Sequence, residues 1–114
     1  MKKKTLKPPE LSEHEIQTQI LELLTKMGIY HFRNNTGRKH NIKFGVVGGS
    51  DILGITNERC KIGKGRFLAI EVKNKKYKPS EAQLVFLDMI NSNGGLGILA
   101  RSVDDVIVAI DNAS

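Results

Sequence analysis

Residues 66–74 read Arg66-Phe67-Leu68-Ala69-Ile70-Glu71-Val72-Lys73-Asn74, an apolar run carrying an acid and a base two residues apart. With the two-residue period of a strand, Phe67, Ala69, Glu71 and Lys73 share one face, and Leu68, Ile70 and Val72 share the other. Glu71 and Lys73 are therefore neighbours on one surface. A run this apolar is expected to be an interior strand, and two charges on one face of such a strand have to meet a metal, a substrate or each other.

Upstream, Ser50-Asp51-Ile52-Leu53-Gly54-Ile55 reads as a second short strand with one acid at its start. Between the two runs, residues 57–64 are polar and lead into Gly63-Lys64-Gly65, the composition of a hairpin turn. The strands are then antiparallel neighbours, which brings Asp51 to Glu71. Two carboxylates beside a lysine are the parts needed to hold Mg²⁺ or Mn²⁺ and to polarise a phosphodiester, because hard cations take oxygen ligands and an ammonium stabilises charge developing on phosphate. The pattern asks for a nuclease.

The chain of 114 residues has room for one domain and one core. Its 18 Lys and Arg against 12 Asp and Glu give a net charge of +6 and a pI near 9.6, which favours a polyanionic partner. Residues 1–11 hold four lysines and two prolines without an apolar run, so they read as a flexible basic arm and not as a leader or a membrane span. Residues 12–114 form the expected domain. Cys60 is the only cysteine, which excludes an internal disulfide, a zinc ribbon and a redox pair, and makes a reducing intracellular setting the expectation.

In chain order, Ser12-Glu13-His14-Glu15 has the form of a capping box, opening a helix that runs to about Met27 and stops at Gly28. Its apolar stripe is Ile16, Ile20, Leu23, Leu24 and Met27, and Glu13 extends that face towards the helix start. Glu13 is either an acid of the site or an ordinary first-turn acid facing the helix dipole. Tyr30 to Arg33 reads as a strand. The following stretch to Gly49, with four glycines and the basic residues Arg38, Lys39, His40 and Lys43, reads as a loop that either grips a phosphate backbone or is merely solvated. Lys75 and Lys76 lie just beyond Lys73 in a basic connector. Ser80-Glu81-Ala82-Gln83 is a second capping box, before a helix whose apolar residues Ala82, Val85, Phe86, Met89 and Ile90 show helical spacing. Met27, Phe67, Phe86 and Met89 are expected in the core. Leu96 to Ala100 is an apolar strand, and Val103 to Ile110 is a closing helix with Ser102 at its start. The order is α-β-β-β-α-β-α. A strand–helix–strand crossover over residues 67–100 makes the sheet mixed, with helices packed on it. Phosphate-loop and dinucleotide glycine patterns are absent, so no nucleotide cofactor is expected.

Ser50-Asp51 followed by Glu71-Val72-Lys73 resembles the PD-(D/E)XK nuclease motif, here without its proline. More closely, the stretch from Glu13 to Asp105 resembles a VRR-NUC domain, the virus-type replication-repair nuclease family. The matching pieces are Glu13-His-Glu-Ile-Gln17 with Gly28, Arg33-Asn-Asn-Thr-Gly37, Gly49-Ser-Asp-Ile-Leu-Gly54, Gly65-Arg-Phe-Leu-Ala-Ile-Glu-Val-Lys73, Pro79-Ser-Glu-Ala-Gln83 and Gly94-Gly95. The resemblance implies a restriction-endonuclease-like core. It implies that Asp51 and Glu71 bind Mg²⁺ or Mn²⁺ with the main-chain carbonyl of Val72, and that Lys73 orients the attacking water. It adds Glu13, with Glu15 as the substitute, and Gln83 to the catalytic set. Arg33, Asn35, Arg38, Lys39, Lys75 and Lys76 are the expected DNA contacts. Stand-alone domains of this kind resemble virus- or phage-encoded resolvases of Holliday junctions that work as homodimers on branched double-stranded DNA inside a host cell. The competing readings are a nicking or restriction-type nuclease of the same chemistry and a catalytically silent DNA-binding accessory protein. A small RNA-binding domain fits less well, because six aromatics offer few stacking rings.

Overall fold

The computed structural model describes residues 10–34, 37–39, 42–44 and 49–112. The first helix forms where its capping box predicts. Ser12 Oγ accepts the Glu15 N–H, and the Glu15 carboxylate accepts the Ser12 N–H, fixing the start of α1, Glu13–Lys26. Met27 caps its end and Gly28 follows at φ 68°, a left-handed turn suited to glycine. Ile16, Ile20 and Leu24 are the buried residues of α1, and Leu23, Met27 and Leu11 pack half-buried against the same core.

The remaining elements are β1 (Tyr30–Arg33), β2 (Gly37–Lys39), β3 (Ile42–Phe44), β4 (Ile52–Ile55), β5 (Phe67–Val72), α2 (Glu81–Ser92), β6 (Leu96–Ala100) and α3 (Val103–Asn112). Four of the strands form a mixed sheet in the order β1-β4-β5-β6, and β2 and β3 form a separate antiparallel pair. The pairing β4–β5 is antiparallel with Ile52 opposite Ile70, and β5–β6 is parallel with Glu71 opposite Leu99. The mixed α/β architecture and the crossover through α2 thus agree with the sequence reading. The β2–β3 hairpin does not, since that stretch reads as an unbroken loop. Its short alternation, Ile42-Lys43-Phe44, is outweighed by the surrounding glycine and charge.

Residue parity along the strands builds two faces. Ile52, Leu68, Ile70, Val72, Leu96, Ile98 and Ala100 face α1 and α3, whose Ile20, Leu24, Val106 and Ile110 close the main core. Leu53 and Ala69 face the other way, onto Leu87 of α2, with Phe86, Ile90 and Leu99 around them. Here α2 is rotated relative to expectation. Leu87 is its buried residue, whereas Val85 and Met89 point outward and Ala82 is exposed. The helix is apolar nearly all round, so periodicity cannot choose its inner face. Phe67 is also exposed, because α2 covers only the β5–β6 half of the sheet. Met27 and Phe86 do pack against the core.

Close backbone approach settles where α2 sits. A Cβ on Gly97 would lie 2.9 Å from the Leu87 carbonyl oxygen, a contact that side-chain carbons do not make, so glycine lets α2 lie directly on β6. Asn91 pins the same contact from the side: its Oδ1 accepts the Gly97 N–H at 2.8 Å. Among the described residues, no helix is long and apolar enough to cross a membrane.

Candidate active site

Asp51 stands immediately before β4, and Glu71 lies near the end of β5, on the α2 face of the sheet. Antiparallel pairing makes these two strand ends adjacent, as the hairpin reading requires. Asp51 Oδ2 accepts the Val72 N–H at 2.8 Å, which carries the carboxyl across to the neighbouring strand. Its own carbonyl accepts the Asn34 N–H at 2.8 Å, continuing the β1–β4 ladder.

Glu71 is 1% exposed, the most deeply buried ionisable side chain of the described core. Its Oε2 accepts a hydrogen bond from Gln83 Nε2 at 3.2 Å and has the Lys73 ammonium 4.0 Å away. Its Oε1 is buried without a donor. Burial comes first in pushing the Glu71 carboxyl up to about 8, followed by hydrogen bonding with the Asp51 carboxyl and the Asp51 charge. Lys73 pulls in the opposite direction, and the charge of Glu13 adds slightly to the rise. Glu71 is thereby held towards its neutral form. Two neighbouring carboxyls, one of them with a buried oxygen that no donor reaches, are oxygen ligands of the kind that suit a hard cation.

Gln83 has two jobs. Its Oε1 accepts the Ser80 N–H at 2.8 Å and its backbone N–H donates to Ser80 Oγ at 3.1 Å, completing the second capping box. That leaves its Nε2 to turn to Glu71. The capping and site readings of Gln83 are therefore compatible, since the two ends of one amide serve them separately.

Glu15 is committed to the Ser12 cap, so Glu13 is the acid of α1 that looks towards the strands. Glu13 is felt at Glu71 through its charge. Among the described residues, though, no group of three His, Cys, Asp or Glu side chains converges closely enough to hold a metal ion. Gln17 is half-buried on the same helix. Arg33 is exposed at the end of β1, opposite Ile52, and Lys75 and Lys76 are exposed in the connector after Lys73. Asn35, the side chains of Arg38 and Lys39, and the basic arm up to residue 9 lie outside the described residues.

Two participants carry no motif. Arg101 follows β6, and its Nη1 donates to the carbonyls of Asn74 at 2.6 Å and Tyr77 at 3.0 Å. One guanidinium thereby clamps the connector that bears Lys75 and Lys76, and the Lys76 N–H bonded to Asn74 Oδ1 tightens the same turn. The Ser50 hydroxyl is buried beside Asp51 with no partner. A lone arginine between a strand and a serine cap gives no sequence signal. The Ser50 signal is only its place before the acid.

No family model matches the chain, and neither a curated protein nor a solved structure does.

Proposed function

We propose that the protein is a metal-dependent endonuclease with a PD-(D/E)XK-type core, hydrolysing phosphodiester bonds in branched DNA in the manner of a Holliday junction resolvase. The observation that carries this reading is the pairing of buried Glu71 with half-buried Asp51, with Lys73 and Gln83 set on Glu71. Holding two acids together on an interior strand pair is costly without a cation between them, and a binding or purely structural role gives no return on that cost.

Asp51 and Glu71, with the Val72 carbonyl, are the residues that would hold Mg²⁺ or Mn²⁺. When bound, such an ion supplies the positive charge that lowers the pKa of water and stabilises the phosphorane-like charge. Gln83 fixes the rotamer of Glu71 through Oε2 and leaves Oε1 available. Lys73, 17% exposed, brings its ammonium to the mouth of the site, where it can orient a water and meet charge on the scissile phosphate. Lys75, Lys76 and Arg33 supply backbone phosphate contacts to either side. Two copies of the chain, one site to each of two strands, match the near two-fold symmetry of a junction.

A substrate panel tests this reading: a four-way junction, a splayed arm and a plain duplex, each with Mg²⁺, Mn²⁺ or chelator. Cleavage confined to the branched substrates and abolished by chelator is the expected result. Equal cleavage of plain duplex would favour the nicking-nuclease reading, and tight junction binding without cleavage would favour an accessory protein.

A further inference from the structure

The connector between β5 and α2 carries a run of exposed residues, Lys75, Lys76, Tyr77 and Lys78. A polar turn of this kind is ordinarily left loose, because ordering its backbone costs entropy. Here it is tied at both ends. Arg101 Nη1 donates to the Asn74 carbonyl at 2.6 Å and to the Tyr77 carbonyl at 3.0 Å, so one guanidinium spans the turn. Within it, Asn74 Oδ1 accepts the Lys76 N–H at 3.0 Å, and the Tyr77 N–H donates to the Asn74 carbonyl at 3.4 Å. Arg101 is itself half-buried, and its backbone N–H donates to Asp105 Oδ2 at 2.8 Å, which fixes the clamp to the first turn of α3. On this fixed backbone Tyr77 keeps 59% of its surface exposed, and among the described residues its ring pairs with no other ring.

We infer that Tyr77 is a stacking platform for an unpaired base, on a DNA strand whose phosphates meet Lys75, Lys76 and Lys78. This rests on the proposed function and deepens it by naming the substrate feature that the protein reads: an unpaired nucleotide close to the scissile phosphate.

The ring decides the class of ligand. Lysines alone fit any polyanion, and a plain duplex satisfies them with its outer phosphates. A flat ring set among them adds affinity only where a base face is free to lie on it, and in a duplex those faces are already stacked on one another. Ammonium groups on either side of one ring are the combination that an unpaired strand takes, with phosphates on the charges and a base on the ring. The clamp adds a second reason. Ring and charges stand on a backbone that is ordered before the strand arrives, so binding does not have to order it, and a tyrosine has few side-chain torsions left to settle. Position adds a third. Tyr77 follows Lys73 by four residues, a reach of at most about 14 Å of chain, or about four base steps of one strand. A base held there belongs to the nucleotides around the phosphate that Lys73 meets.

Fluorescence anisotropy of labelled DNA in chelator tests the platform, using the full chain with a splayed arm, a plain duplex, and a splayed arm whose unpaired nucleotides are abasic. Tyr77→Ala, checked for an unchanged circular dichroism spectrum, is expected to bind the intact splayed arm at least about fivefold more weakly than wild type and the duplex within about twofold of it. Tyr77→Phe keeps the ring and is expected to match wild type on all three. Abasic arms remove the base, so there wild type and Tyr77→Ala are expected to bind alike. Wild-type affinity of Tyr77→Ala for the intact splayed arm would overturn the platform, and so would an equal loss on intact and abasic arms, the mark of a general effect on the turn. Cleavage is read separately, with Mg²⁺ on the same substrates. An uncut splayed arm with the full Tyr77 effect on binding keeps the platform and rejects the nuclease, cleavage of branched DNA without any Tyr77 effect rejects the platform alone, and a wild type that binds none of the three rejects both.

Discussion

At Glu71 an interior strand buries an acid among apolar neighbours, and the proposed function rests on that burial. An acid whose carboxyl is held up to about 8 keeps its proton in the folded chain across a range where the unfolded chain, with an ordinary value of 4.5, has lost it. The unfolded state then binds fewer protons, so the metal-free protein loses stability as pH rises from about 4.5 to about 8; below that window the contribution is fully present. The loss should amount to a few kcal/mol, since a tenfold difference in proton affinity between the two states is worth about 1.4 kcal/mol. Urea melts at the two ends of the window should show this fall for wild type and a much flatter profile for Glu71→Gln; parallel profiles would mean that Glu71 does not carry the buried proton. Ser50 has no such legible sign. Its burial without a partner becomes visible only when the surroundings are assembled.

The elements show where local pattern suffices and where packing decides. Both capping boxes are legible because each is a self-contained exchange of hydrogen bonds over four residues, Ser12 with Glu15 and Ser80 with Gln83. The pairing of β4 with β5 is legible for a similar reason, an apolar run on each side of a polar turn. The rotation of α2 is not, because Leu84, Val85, Leu87 and Met89 give it apolar residues on several sides, and its inner face is set by Gly97 and by the reach of Gln83 to Glu71. Exposed Phe67 and Met89, expected inside, follow from the same cause. Gly97→Ala should therefore force α2 outward, costing about 1–3 kcal/mol by overpacking. It should lower cleavage further than the lost stability explains, by drawing Gln83 off Glu71; a variant with a lower melting temperature but full turnover well below it would separate α2 placement from the site. In the connector, Arg101 holds Lys75 and Lys76 on a fixed turn. Lys75→Ala and Lys76→Ala should each reduce the slope of log binding constant against log salt by about one, and an unchanged slope would remove that lysine from the phosphate contacts.

At the scale of the whole molecule, the sheet order β1-β4-β5-β6 brings the start of β4 and the end of β5 side by side, with α2 lying over β5 and β6. The acids lie 20 residues apart in sequence and come together because antiparallel pairing joins their strands. This much is recoverable from the acid-x-lysine pattern and the turn between the runs. What the bare sequence lacks is the second face. The uncovered half of the sheet is created by how far α2 extends, a property of the assembled layers that no single segment encodes.

The central claim is that Asp51 and Glu71 are the chemical centre of a nuclease. Its most direct measurement is single-turnover cleavage of a four-way junction in Mg²⁺ or Mn²⁺ by wild type, Asp51→Asn and Glu71→Gln, with folding checked by circular dichroism and junction binding by a shift assay. Wild type is expected to cleave, and both variants are expected to bind the junction but cut it at a rate lower by at least about a thousandfold. Folded variants that cut the junction at the wild-type rate would contradict the claim.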